Sequence, residues 1–570
     1  MKDSDKTPID KLCEEYLAGE FKLSPIFASV VGKEELSQDP DGLDDFSPAT
    51  AQKHLALMKD IKAKAEKVEL INRTDEIIQR QLLSIIDTQT IIYEKFQDHL
   101  RSVNNLATPL QDVRMLFERL PRGTVEEMTK IGRKLANVAK SIDSFRASLE
   151  VGLSKNIMPA KRQVKALAKQ AADLADPQES YYQQIANEAK ALVPEQAEAF
   201  QASADAAIAA HQKLVEFLQG EYYDQAVDQD AVGEERYQVY AFQFSGKKLD
   251  LQATYEWGVS EVERLVDEQN QIAQRVLGLD TRATDFFEKI IQNREASKKL
   301  DSDPKQQLQS KDELLGYMKE TSKTAMSFLI DNHHFDIPEP VRTLECQIAP
   351  SNDGEIYYTE PTDGFTIPGT MWWSIPNDVN KFYKWREKTT IHHEGVPGHH
   401  LQLGIQVYNA AKINDWRRLG LFLSGYGEGW ALYAEQLMDE FGFLDDADRF
   451  GMLDGQLMRA ARIVIDIGTH CQKPVPASWQ ARYGAGIWDW DKCFKLLDDT
   501  TAMNEGFRLF ELTRYFGWPG QAISYKLGQR AFLELRDQAI AKGWTLNEYH
   551  KRVLDLGTLG LDNLEFALFG

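Results

Sequence analysis

From the N-terminus to about residue 330, apolar positions recur every three to four residues, in stretches dominated by Ala, Leu, Lys, Glu and Gln. That period is the mark of amphipathic helix, and the β-branched runs that would favour strand are scarce. Ile131, Leu135, Val138, Ala139, Ile142 and Phe145 form one such stripe, which reads as a single helix face. Before it, Leu120-Pro121-Arg122-Gly123 breaks the pattern, and Thr124 with Glu127 has the spacing of a capping box opening the next helix. The Ala-, Gln- and Lys-rich stretch 160–215 reads as an exposed helical hairpin.

The texture changes between about 335 and 378. Prolines, aromatics and β-branched residues crowd FDIPEPVRTLECQIAP, EIYYTEP and TIPGTMWWSIP. Short strands joined by turns follow, hence a small β-sheet near 341–376. From Lys381 to the end the helical period returns, and no fixed-period repeat or low-complexity tract interrupts it. The expected fold is mainly α: 1–330 a helical N-terminal region, 331–570 a catalytic region with the sheet and metal-binding helices, as two lobes or one continuous domain.

Composition narrows the function classes. The 570 residues carry 66 Lys plus Arg against 88 Asp plus Glu, a net charge of −22. A chain this acidic repels phosphate backbones, so no nucleic-acid partner is expected. Cys13, Cys346, Cys471 and Cys493 form no CxxC pair and are too sparse for a disulfide scaffold, so buried thiols are expected. MKDSDKTPID contains no apolar leader core, and no window approaches about 20 apolar residues, so no membrane span is expected. The location this suggests is cytoplasmic, or periplasmic or an envelope lipoprotein if a leader has been trimmed.

The chemistry concentrates in Ile391-His392-His393-Glu394-Gly395-Val396-Pro397-Gly398-His399-His400-Leu401-Gln402, where four of the chain's 11 histidines fall within nine residues. Neutral imidazole is a good zinc ligand, and an ion with three protein ligands keeps a position for water. Glu394, beside His393, has the place of the general base in an HE-type signature. The later histidines depart from the usual i+4 spacing: His399 is at i+6 and His400 at i+7. On a regular helix, i and i+7 share a face but stand about 10.5 Å apart, too far for one ion. Pro397-Gly398 permits a bulge that swings a later histidine round. His393 and His399 are the first choice of ligands, with His400 in reserve and His392 supporting them or facing solvent.

A third ligand is expected downstream, in Gly425-Tyr426-Gly427-Glu428-Gly429-Trp430-Ala431-Leu432-Tyr433-Ala434-Glu435. Glu428 and Glu435 share one face of an otherwise apolar helix, and buried carboxylates are costly unless paired or metal-bound. Glu428 is assigned as the ligand and Glu435 as the residue that holds a ligating imidazole.

With these motifs in view, HEGVPGHHLQ followed by GEGWALYAEQL resembles the bacterial "domain of unknown function 885" family, predicted zinc metallopeptidases of the gluzincin type. Further matching segments are Ala461–His470, Arg514-Tyr515 and Pro519–Gly528, so the resemblance covers nearly the whole chain. More distantly, Glu428-x6-Glu435 is similar to the second motif of thimet-oligopeptidase-like and thermostable-carboxypeptidase-like enzymes, in which the first Glu is the zinc ligand. The resemblance implies a helical fold with a cleft between lobes, one zinc ion and short peptides as substrates. It also implies a hydroxyl or imidazole donor for the oxyanion: Tyr525 first, then Tyr515 and His470. Arg514 and Lys526 are candidates for a substrate carboxylate, or pair with acids such as Glu511. Asp466 is placed to orient a ligand or Arg462. Met371, Trp372 and Trp373 are candidates for a substrate wall, where a bound peptide would add a strand. The function expected is a zinc metallopeptidase with Glu394 as base; the alternatives are a zinc amidase or esterase on the same site, or a non-catalytic helical binding protein with a degenerate metal site.

Overall fold

The computed structural model describes residues 2–281, 283–349, 356–377 and 379–570. Helix takes 70% of the chain and strand 4%, so the sheet is a local insert in a helical protein. By internal contacts the chain divides into two compact units: 7–232 with 513–518, and 1–6 with 233–512 and 519–570.

The unit formed by 7–232 and 513–518 is built around the Ala197–Gln219 helix, which buries Phe200, Ala204, Ala207, Ile208, His211, Leu214 and Leu218 along one stripe. The stretch 160–215 is therefore no exposed hairpin. It comprises the helices Lys161–Leu174, Tyr181–Leu192 and most of Ala197–Gln219, and Val164, Leu167, Ile185 and Ala189 enter the same core. The stripe from Ile131 to Phe145 is split between two helices, Val125–Leu135 and Val138–Ser154. Both feed one core, so the apolar period runs on across the break at Ala136 and Asn137. The capping box forms: Glu127 N donates to Thr124 Oγ1 at 3.2 Å, and Thr124 N to Glu127 Oε2 at 3.0 Å.

The other unit holds the sheet and the histidine cluster. Its small sheet has the order Leu344–Ile348, Gly369–Trp373, Ile356–Thr359, the first pair parallel and the second antiparallel. Residues 350–355 of the expected sheet region lie outside the described residues. Met371 and Trp373 point from the middle strand into a core shared with Leu314, Met318 and Ile391. That contact seats the Lys384–Glu394 helix against the sheet. The Leu251–Leu277 and Asp446–His470 helices pack on one another. Ser424–Glu440 packs on Ser524–Ala541 at glycine: a Cβ on Gly429 would lie 2.4 Å from Gly528 Cα. All four cysteines are buried and unbridged. Among the described residues no helix is long and apolar enough to cross a membrane.

Candidate metal centre

Two histidines six residues apart meet here across an interruption in the helix. The Lys384–Glu394 helix stops at Gly395, and a new helix, His399–Tyr408, starts after four residues. The segment is thus not a bulged helix, as expected from the spacing, but two helices with the phase reset between them. Gly398 N donates to His392 O at 3.1 Å, and His400 N to Gly395 O at 3.1 Å, closing the connection. A side chain at Gly398 would put Cβ 1.9 Å from His393 O and 2.4 Å from His392 O, so the close turn admits only glycine. From the next helix, Trp430 Nε1 donates to Pro397 O at 2.9 Å.

The reset brings His393, His399 and Glu428 together, with one donor atom from each lying within 4.8 Å of the others. Glu428 Oε2 is 3.2 Å from His393 Nε2 and 3.6 Å from His399 Nε2. The two rings are nearly perpendicular, with centroids 5.0 Å apart. Burial alone would lower the His393 pKa, but hydrogen bonds to Glu428 and Glu435 raise it to about 9. Burial would raise Glu428; the two imidazoles outweigh it and hold that carboxyl well below its ordinary range.

Behind the cluster, Glu435 Oε1 accepts from His393 Nδ1 at 2.7 Å. Its other oxygen accepts from Thr389 Oγ1. The Nδ1–H of His393 is thereby held on Glu435, and Nε2 is the atom that faces Glu428 and His399; an ion bound there would take the place of the Nε2 proton. Burial pushes the Glu435 carboxyl up, and Arg459, His393 and Thr389 bring it below the usual value. Arg459, from the Asp446–His470 helix, reaches within 3.8 Å of Glu435 Oε1. His399 Nδ1 faces Gln402 Oε1 at 3.4 Å. Arg459 and Gln402 stand beside the cluster without a signal in the sequence: one is 24 residues from Glu435, and the other is an uncharged residue inside a quoted motif. Glu394 is buried, and burial raises its carboxyl above the ordinary range.

The other two histidines are occupied elsewhere. His400 Nε2 donates to Val341 O at 2.7 Å, so its Nδ1 accepts from Tyr358 OH at 3.0 Å. The ring ties the helix to the sheet and has no lone pair turned to the cluster. His392 Nδ1 donates to Val396 O at 3.1 Å, with its ring edge-on to Phe443. Burial lowers both pKa values to about 4.

The remaining candidates disperse. The half-buried ring of Tyr525 lies 5.7 Å from the Arg459 guanidinium and 4.7 Å from that of Arg462. His470 and Asp466 are fully buried; Asp466 accepts from Tyr237 OH at 2.8 Å and Gly520 N at 2.9 Å, and His470 lies 3.5 Å from it. They stand two to three turns beyond Arg459 on the same helix, outside the cluster. Lys526 is buried, with its ammonium donating to Gln456 at 2.6 Å and Gln529 at 2.7 Å and lying 3.0 Å from Glu261. Arg514 and Tyr515 are buried and belong to segment 513–518 of the other unit. Trp373 is core, whereas Trp372 points to the outer face, bonds Thr359 through Nε1 at 2.9 Å and stacks on Tyr357.

Comparison with known proteins gives a family and a fold. The family model described as bacterial protein of unknown function (DUF885) matches residues 25–568. No curated protein matches the chain. Among solved structures, a putative lipoprotein from Colwellia psychrerythraea is similar over 98% of each chain, with TM-score 0.82 and 21% identity. A putative lipoprotein of unknown function from Shewanella oneidensis is similar over 99% of this chain and 100% of its own, with TM-score 0.75 and 14% identity.

Proposed function

We propose that this chain, which belongs to the DUF885 family of bacterial proteins of unknown function, is a zinc-dependent hydrolase of short peptides. The observation that carries the reading is the spacing of the cluster. Tetrahedral zinc with bonds of 2.0–2.1 Å sets its ligands about 3.3–3.4 Å apart. The two contacts at Glu428 Oε2, 3.2 and 3.6 Å, bracket that value. Two imidazoles and one carboxylate are a donor set zinc favours, and they leave a coordination position open.

His393, His399 and Glu428 would hold the ion, which when bound supplies a Lewis acid that activates water and polarises the amide carbonyl. Glu435 keeps the His393 ring in the ligating tautomer. Glu394, next in sequence to His393, takes the proton of the attacking water and returns it to the leaving amine. Tyr525, whose ring lies 5.7 Å from the guanidinium of Arg459 beside Glu435, is the side chain we assign as donor to the tetrahedral oxyanion. Ile356–Thr359 is an edge of the three-stranded sheet, and its Tyr358 touches the His399 helix through His400, which supports an extended peptide lying there.

The test is the zinc-loaded protein and its Glu394→Gln variant on a short-peptide library. Zinc retained with hydrolysis abolished is expected. Turnover retained by Glu394→Gln would remove it as base; cleavage of esters or acyl amides alone would reassign the substrate. For location, the description of both neighbours as putative lipoproteins supports the cell envelope, and fractionation checks it.

A further inference from the structure

The carbonyl of Leu432 accepts from two side chains. Gln456 Nε2 and Gln529 Nε2 each donate to it at 3.3 Å. Gln456 comes from the Asp446–His470 helix and Gln529 from Ser524–Ala541, so two helices converge on one carbonyl of the helix that carries Glu428 and Glu435. Gln529 Nε2 also donates to Gln436 Oε1 at 2.9 Å. Leu432 stands four residues after Glu428 and three before Glu435, about 6 and 4.5 Å along the helix axis.

A glutamine amide can turn either its oxygen or its nitrogen to a neighbour. Here Lys526 makes the choice. Its ammonium donates to Gln456 Oε1 at 2.6 Å and to Gln529 Oε1 at 2.7 Å, and lies 3.0 Å from Glu261 Oε1. An ammonium has three donors and no acceptor, so only the amide oxygens can face it, and both nitrogens are left for Leu432. A neutral partner that both donates and accepts would admit either orientation. Lys526, Gln456 and Gln529 are all buried, where an unmatched amide end is costly. Burial lowers the Lys526 pKa to about 8, with Glu261 opposing the fall, so the group is a cation at neutral pH. Glu261 is itself held by Arg264 through two bonds of 2.7 Å.

The remaining contact between these two helices does little to fix their register. Gly429 meets Gly528, where a Cβ would lie 2.4 Å from the facing Cα, so the backbones approach closely but no side chain interlocks. We infer that Lys526 is a positioning residue of the metal centre: by orienting two amides onto Leu432 O, it sets where the Ser424–Glu440 helix holds Glu428 and Glu435 against His393. Such constellations need their members held within about 0.5 Å. The inference rests on the metal reading of the cluster, and Lys526 acts in it through other side chains rather than on substrate.

The test compares the full-length wild type with Lys526→Met, which keeps a long unbranched side chain and removes its donors. Chelator competition reads zinc affinity, d–d absorption reads the geometry of the cobalt(II)-loaded protein, and amide hydrogen exchange reads residues 424–440 in the metal-free protein. In Lys526→Met, zinc affinity is expected to fall about 10–100-fold, as for other groups that orient ligands. The cobalt bands shift, and exchange quickens over 424–440. Glu261→Gln is the control: it disturbs the same buried cluster but leaves the amine donating to both amides, so its cobalt spectrum should match the wild type. If Lys526→Met does not fold, Gln456→Leu and Gln529→Leu, each of which removes one bond to Leu432 O, take its place in the same three measurements. A cobalt spectrum unchanged in Lys526→Met, or changed equally in Glu261→Gln, overturns the inference and leaves the metal reading standing. If the wild type binds neither ion, the metal reading falls and hydrogen exchange decides. Faster exchange confined to 424–440 in Lys526→Met then upholds its hold on the helix, and unchanged or evenly raised exchange overturns it.

Discussion

Trp430 Nε1 donates to the Pro397 carbonyl at 2.9 Å, so the helix that carries Glu428 also grips the turn between His393 and His399. Both partners are buried, Trp430 completely. Trp430→Phe strips the donor from a buried carbonyl, which costs about 1–3 kcal/mol. Denaturant titration should show that loss, and zinc affinity should fall with it because the turn sets where His399 stands. A destabilised variant with unchanged zinc affinity would mean the turn keeps its shape without this bond.

His399 and His400 are adjacent yet do opposite work. His399 Nε2 faces Glu428, whereas both nitrogens of His400 are bonded to Val341 and Tyr358. His399→Ala should therefore lower zinc affinity by about 100-fold or more while costing the metal-free protein little stability. His400→Ala should do the reverse, losing about 2–4 kcal/mol through two unmatched buried groups while zinc still binds. Competition titration with a chromophoric chelator, beside melting of the metal-free proteins, reads both; the opposite ranking would reassign the ligand.

What was legible in the sequence was local or set by residue type. Thr124 and Glu127 announce their cap because both partners lie within one turn. His393, Glu394 and Glu428 stand out because ionisable groups among Ile, Trp and Leu need a reason to be there. The choice between His399 and His400 was not legible, since it depends on the helix stopping at Gly395 and restarting at His399, which resets the face each residue presents. Arg459 was hidden for a different reason: an arginine on a long amphipathic helix looks like a solvated one until Glu435 is brought beside it from another helix. The split at Ala136 escaped because helices on both sides of it feed one core.

Gln402 is to His399 what Glu435 is to His393, with an amide in place of a carboxylate. Its Oε1 faces His399 Nδ1 at 3.4 Å, and its Nε2 is buried without a partner. Supporting groups of this kind are worth about 10–100-fold in metal affinity. Gln402→Leu should lose zinc affinity within that range, whereas Gln402→Glu should retain it, because the carboxylate still accepts the Nδ1 proton. Equal loss in both variants would assign Gln402 to packing alone.

His211 offers a test of the other unit that is independent of metal. Its Nδ1 donates to Ala207 O at 2.8 Å, its ring lies 5.2 Å from that of Tyr182, and burial lowers its pKa from 6.5 to about 4. Burial also keeps the Tyr182 hydroxyl protonated throughout this range. Between those pKa values the unfolded state binds a proton that the folded state refuses, so stability falls as pH drops below about 6.5 and the loss is complete below about 4. From pH 7 to 5 the share of His211 is about 2 kcal/mol. In His211→Leu that share disappears while every other titrating group remains, so the gap between variant and wild type should shift by about 2 kcal/mol in the variant's favour over the interval. Urea unfolding at the two pH values measures the shift, and parallel pH profiles would show that His211 takes up its proton without disturbing the fold.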